Sequence, residues 1–355
     1  VVSHRWTSDA EIAESKRQTI EGGVGKRHHY VPQMYLRRWA NGDGNIRLTK
    51  TDSGGSHIQP PEDVAKRTNL YTITADDLEP DFPSRWLEKH MSRIESDAAG
   101  WLRALDDLTA GRMTDRDLIA NLAVFVALQD QRTLAKHDRE LRIEDALNRF
   151  GRAEILSPLL PFVCQLYRIP YSPHRHGAIL QQFLNRPLIS AERKPRALES
   201  TIGVWRNQAV PHFSTQRTWW LVDSASLFLT CDEPVVYLGG SVAPRWRTLG
   251  WATSPIALFP VDPHRLVVLT NAGHDLHPPF ELDAEEAAQV NFEIVAASNE
   301  VCFEQPDTNI AASIRVPQWP DRDPASASTF MEAVLPPSRW KEGEGPPWAV
   351  SRWHQ

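Results

Sequence analysis

The stretch Thr218-Trp219-Trp220-Leu221-Val222-Asp223-Ser224-Ala225-Ser226-Leu227-Phe228-Leu229-Thr230 decides the fold. Two runs of β-branched, aromatic and leucine residues flank Asp223-Ser224-Ala225, and the spacing reads as a hairpin. Before it, apolar residues recur at helical steps. After it come further strand candidates: Val235–Leu238, Ala257–Val261 and Arg265–Thr270. A helix is expected from Asp283 towards Ser298, and a last strand over Glu300–Glu304. Upstream, Leu87, Met91, Ile94, Ala98, Trp101 and Leu105 form one stripe of a helix from about Ser84 to Leu108. A second helix opens at Thr114, with Asp117 in an acidic variant of the capping box, and shows Leu118, Leu122, Phe125, Gln129 and Arg132. Charges dominate a continuing, exposed helix from Lys136 to Arg152, and another is expected over Gly177–Asn185. The fold class expected is α+β, a helical N-terminal half packed on a mostly antiparallel C-terminal β-sheet.

The chain holds 355 residues, 41% apolar and 24% charged, which suits a globular protein with an ample core. No run reaches the roughly 18–20 apolar residues of a membrane helix, so no membrane partner is expected. The first residues lack an apolar signal, and three separated cysteines form no framework, so the cytoplasm is the expected compartment. A net charge of −6 argues against a globally basic nucleic-acid coat. Residues 1–25 read as a mobile arm whose sizeable apolar residues are Ile12 and Ile20, closed by Gly22, Gly23 and Gly25. Residues 26–335 read as one domain, and 336–355 as a Pro/Trp-rich tail over the surface. Pro158, Pro161, Pro170 and Pro173 mark loop-rich ground, and Asn45–Thr51 and Asn69–Thr74 are short strands.

Lys26-Arg27-His28-His29-Tyr30-Val31-Pro32 is the sharpest local feature. Adjacent histidines face opposite sides of an extended segment, so one can act as a base or ligand while the other serves elsewhere. A pair of satisfied histidines beside a proline turn is the blander reading. Pro32 holds Val31 extended, and Gln33–Ala40 then has helical spacing.

The run His28-His29-Tyr30-Val31-Pro32-Gln33-Met34-Tyr35-Leu36-Arg37-Arg38-Trp39-Ala40 resembles the opening of the DUF4238 family, bacterial proteins of uncharacterised function. The likeness continues through Trp86-Leu87-Glu88, Ile94-Glu95, Phe125 to Thr133, Phe228-Leu229-Thr230-Cys231-Asp232-Glu233-Pro234-Val235 and Asn291, about residues 26 to 304. Family members more often carry Ser-Asp-Asn-Pro where this chain has Cys231-Asp232-Glu233-Pro234.

Gln129 and Arg132 on a core-facing stripe need partners, whether a salt bridge to Glu95 or an anion held in a cleft. Glu88 and Glu95 lie two turns apart; Glu88 reads as solvated, Glu95 as facing an interhelical groove. Asp232, after an apolar strand, reads as a site carboxylate or an Asx-turn. Cys231 reads as a plain buried residue rather than a nucleophile. The expected pocket joins His28, His29, Glu95 and Asp232 as catalytic groups, with Gln129, Arg132 and Asn291 on the substrate. A divalent metal would sit on His29, Glu95 and Asp232. That set suits a metal-assisted hydrolase of an anionic substrate, a phosphodiesterase or nuclease acting on nucleic acid. His28-His29, Asn69 and His90 also resemble, at longer spacing, the order of an HNH endonuclease. A non-haem-iron oxidative enzyme and a non-enzymatic ligand-sensing or interaction protein are the alternatives.

Overall fold

The computed structural model describes residues 4–21, 25–167, 169–321 and 323–354. Its centre is a sheet with strand order β11-β6-β10-β9-β8. These strands are β6 (Arg217–Ser224), β8 (Val236–Leu238), β9 (Ile256–Asp262), β10 (Arg265–Asn271) and β11 (Glu281–Leu282), with β5 (Gly111–Arg112) also on β6. All pairings are antiparallel except that of β11 with β6. Side chains alternate across a strand, so the register sorts them into two cores. Leu221, Val267 and Phe259 are cross-strand neighbours on one face; Trp220, Val268 and Leu258 are neighbours on the other.

The first face is covered by the helical layer. It includes α3 (Trp86–Ala104), α4 (Arg116–Gln131) and α9 (Val210–Thr215). Phe125 of α4 meets Phe259 edge-on at 6.1 Å. The helix is buried all round from Leu122 to Gln131, because it lies between the sheet and its neighbours. The second face is covered by α10 (Ala284–Ala297) and by Ala349, Val350 and Trp353 near the C-terminus. The α+β arrangement is therefore as expected.

A second, four-stranded sheet joins distant parts of the chain. Its order is β3-β2-β12-β7, with β2 (Ile46–Lys50), β3 (Ser56–Gln59), β7 (Thr230–Cys231) and β12 (Val301–Glu304). The expected hairpin at Asp223-Ser224-Ala225 does not form: β6 pairs with β10, and Thr230-Cys231 leaves for the other sheet. The hairpin instead joins β9 and β10 around Pro263-His264. Asn69–Thr74 is not a strand either; β4 (Lys66–Thr68) pairs just before it with β1 (Arg27–His29). Gln33–Ala40 divides into α2 (Gln33–Leu36) and a 3-10 turn, Arg37–Trp39. Helix α4 is capped by Asp115, not Thr114: its carboxylate accepts from the backbone N–H of Asp117 and Leu118 at 3.0 Å. After α5 (Leu134–Phe150), Pro158 and Pro161 stand inside α6 (Arg152–Leu166), where loop was expected. The chain then turns into α7 (His176–Leu184) and runs on to α8 (Arg193–Val204).

Both chain ends correct the expectation of a loose arm and a surface tail. Helix α1 (Asp9–Glu21) lies on α3, with Trp6 buried in the main core. His90 Nε2 donates to the Trp6 carbonyl at 3.0 Å, its Nδ1 pairs with the Ser15 hydroxyl at 2.9 Å, and Arg93 pairs with Glu11. Residues 22–24 lie outside the described residues. At the other end, Arg245 holds Glu293 through both guanidinium nitrogens and also donates to the Pro346 and Pro347 carbonyls. Trp348 covers that guanidinium at 4.0 Å. No helix among the described residues is long and apolar enough to cross a membrane.

Candidate functional site

The β1–β4 ladder sets His28 opposite Arg67 and His29 opposite Lys66, and the strand pleat sends the two rings to opposite sides. His28 points inward and is fully buried. Its Nδ1 accepts the Tyr71 backbone N–H at 3.0 Å, which puts the ring proton on Nε2, 3.1 Å from the Gly25 carbonyl. Burial lowers its pKa to about 4, so the ring is neutral at physiological pH. It stacks on Tyr71, with centroids 5.8 Å apart. Both ring nitrogens of His28 are thus engaged by backbone groups, on the opposite side of the strand from the His29 ring.

The centre of the region is the break between α4 and α5. Arg132 closes α4 and is 2% exposed. One of its terminal nitrogens donates to Glu95 and the other to the His29 carbonyl, while its own carbonyl accepts the Tyr71 hydroxyl. The salt bridge to Glu95, one of the two expectations for Arg132, is thus formed. Of the expected pocket, His29, Glu95 and Arg132 are brought together, His29 through its backbone. The His29 ring is half-buried, and desolvation lowers its pKa.

Glu88, read from the sequence as solvated, is the residue that reading missed. It flanks the α3 stripe two turns before Glu95, and the two should have been treated alike. Its Oε2 is buried without a hydrogen-bond partner among the described residues and lies 4.0 Å from His28 Nδ1. Burial raises the carboxyl pKa to about 7; Arg132 opposes the shift and Glu95 adds to it. Gln129, fully buried one turn before Arg132, has no partner for either amide atom among the described residues, and the Arg132 Nε has none either.

Asp232 and Asn291 are used differently. Asp232 Oδ1 accepts the Asn299 N–H at 2.8 Å, and Oδ2 accepts those of Glu300 and Val301 at 2.7 and 3.3 Å. Burial raises its pKa to about 6, with those N–H groups pulling it back. Asn291 gives its amide N–H to the Leu227 carbonyl at 2.8 Å and accepts the Leu229 N–H at 3.1 Å. Both residues clamp loops that end at β7 and β12, and the hydrogen bonds of each go to those loops. Among the described residues no three His, Cys, Asp or Glu side chains are grouped to hold a metal ion. The expected ligand set His29, Glu95 and Asp232 is not assembled among the described residues. His90, the third position of the HNH-like order, is spent on Ser15 and Trp6.

On the far side of the same helix break lies a second polar group that sequence reading did not single out. Asp130 is buried between Gln131 and Lys136, the latter at 3.3 Å. Glu233 stands nearby, its pKa raised to about 8, by burial first and then by Asp232, against the pull of Lys136 and Thr133. The only available signal was the departure at Glu233, an acid where the resemblance leads one to expect an amide. Cys231 and Cys302 face each other across β7 and β12 as free, buried thiols, and burial pushes both pKa values up, away from nucleophilic reactivity.

A protein-family model described as a protein of unknown function (DUF4238) matches residues 27–308. No curated protein and no solved structure matches the chain.

Proposed function

The chain belongs to the DUF4238 family, and on that premise we propose that it is a hydrolase using carboxylate acid–base chemistry on an anionic ester. The observation that carries the reading is the Glu88 carboxyl: one oxygen buried and unpartnered, pKa about 7, beside a buried arginine. A group titrating near the working pH is the efficient proton-transfer partner. Glu88 and Glu95 keep 17% and 21% of their side chains exposed, and a substrate would approach along that edge. The Glu88 carboxylate would take a proton from water as the water oxygen bonds to the phosphorus or acyl carbon. The ester bond then breaks, and Glu88 returns the proton to the leaving oxygen. The Gln129 amide and Arg132 would stabilise the charge that develops. Phosphodiesters, nucleic acid among them, fit this chemistry, and the three buried free thiols suit a reducing cytoplasm.

A second reading has its own support. His28, Asp232 and Asn291 have their polar atoms engaged by backbone groups, which suits a ligand-sensing protein with a structural polar core. Turnover decides between the two. Wild type, Glu88→Gln and Glu88→Asp would be assayed on nitrophenyl phosphodiesters, phosphomonoesters and acetate. Hydrolysis is expected with an inflection near pH 7, and Glu88→Gln should lower it about 100-fold. Equal rates for wild type and Glu88→Gln on every substrate would give the site to ligand sensing.

A further inference from the structure

The helical hairpin made by α6 and α7 has a small core of its own: Leu160, Cys164 and Ile179 are buried, with Leu180 and Phe183 against them. His176 fixes the turn between the helices, with Ser157 and the Tyr171 hydroxyl each 3.0 Å from its ring. Beyond that core some apolar side chains stay exposed, although Tyr167 packs edge-on against Phe183 at 6.2 Å. Phe162 is 62% exposed near the end of α6, and Tyr167 and Ile169, at 37% and 36%, follow in the turn. His174 and Arg175 are exposed in the same turn. From Ile155 to Ala191 the sequence has no Asp or Glu, yet it carries Arg168, Arg175 and Arg186 with His174 and His176. The whole chain has a net charge of −6, so this stretch is an island of opposite sign.

We propose that the α6–α7 turn docks the protein on an anionic lipid surface, with Phe162 and Ile169 entering the headgroup layer. Charge complementarity selects the occupant: the rest of an acidic chain is repelled by such a surface, while this island is attracted. The exposed aromatic and isoleucine side chains favour lipid over nucleic acid, whose phosphates would be met by arginine alone. The lack of a spanning helix among the described residues bears on crossing a bilayer and not on resting against one.

The test is co-sedimentation of the full chain with vesicles. One set is phosphatidylcholine alone, and the other has equal parts phosphatidylcholine and phosphatidylglycerol. Binding is expected to the anionic vesicles only, and it should weaken as salt is raised. The double variant Phe162→Ser/Ile169→Ser should reduce partitioning about tenfold or more, and Arg175→Glu by about tenfold. Both act on exposed positions, and unchanged melting would show that folding is intact. Four results would overturn the proposal. They are no preference for anionic vesicles, variants that bind like wild type, a concentration-dependent dimer lost in Phe162→Ser, and binding to duplex DNA with none to vesicles. None of these readouts involves Glu88, so this proposal and the hydrolase reading fail separately.

Discussion

The clamp around Asp232 and the helix junction around Glu88 both take a carboxylate out of water, and they treat it in opposite ways. Asp232 receives three backbone N–H groups, two at its Oδ2. The Glu88 Oε2 receives none, and its nearest basic neighbour, His28 Nδ1, already has its lone pair engaged by Tyr71. A carboxylate whose valences are filled by the chain holds the chain in shape. One left unfilled is costly to bury and is available to a substrate. Sequence motifs do not separate the two cases, because both residues stand beside apolar elements.

The largest expected effect falls on the clamp. Asp232→Ala would orphan the N–H groups of Asn299, Glu300 and Val301, and should cost about 3–5 kcal/mol in urea unfolding. An unchanged midpoint would remove the distinction between the two regions. Asn291→Leu keeps the branched skeleton but abandons the Leu227 carbonyl and Leu229 N–H, and about 2–3 kcal/mol is expected from the same measurement.

The smallest effect belongs to Glu88, and pH exposes it. Its proton is held more tightly folded, near 7, than at the ordinary 4.5. The stability it contributes is therefore complete below 4.5 and is lost as pH rises through 7. His28 runs the other way: held near 4 against 6.5, it contributes fully above 6.5 and loses this as pH falls through 4. Melting temperature should peak between these arms. Glu88→Gln should move it little at the peak, less than about 1 kcal/mol, while flattening the alkaline arm. If the alkaline arm keeps its slope in Glu88→Gln, another carboxyl, such as Glu233, is responsible.

The helices and most strands were legible because burial imposes its period on the sequence. Leu87, Met91, Ile94, Ala98 and Leu105 are all in the core their spacing implied. The partner of each strand was not legible. Thr218–Val222 and Leu227–Thr230 look like one hairpin, yet Asn291 pulls the second run away by bonding the backbone at Leu227 and Leu229. That is a contact between residues some sixty positions apart, which no local pattern records. The chain ends were misread for a related reason: Trp6 at one end, and Ala349, Val350 and Trp353 at the other, anchor segments too short for periodicity to register. At the site, the link from Arg132 to Glu95 was one of two partners that the need to neutralise a buried charge suggested. The saturation of Asp232 depended on where the 299–301 backbone would pass.

The pairing of β2 with β12 sets Lys50 against Val301 and Arg47 against Glu304. A chain emerging from the ribosome must therefore make β2 and β3 early and hold them without their central neighbour until nearly the whole sequence has been delivered. Closing so long a loop carries an entropic cost that grows only slowly with length, but the search comes late. Until then the β2 edge offers unpaired backbone groups to any other strand. During synthesis this edge is open to aggregation, and a chain truncated before residue 301 lacks the strand that covers it.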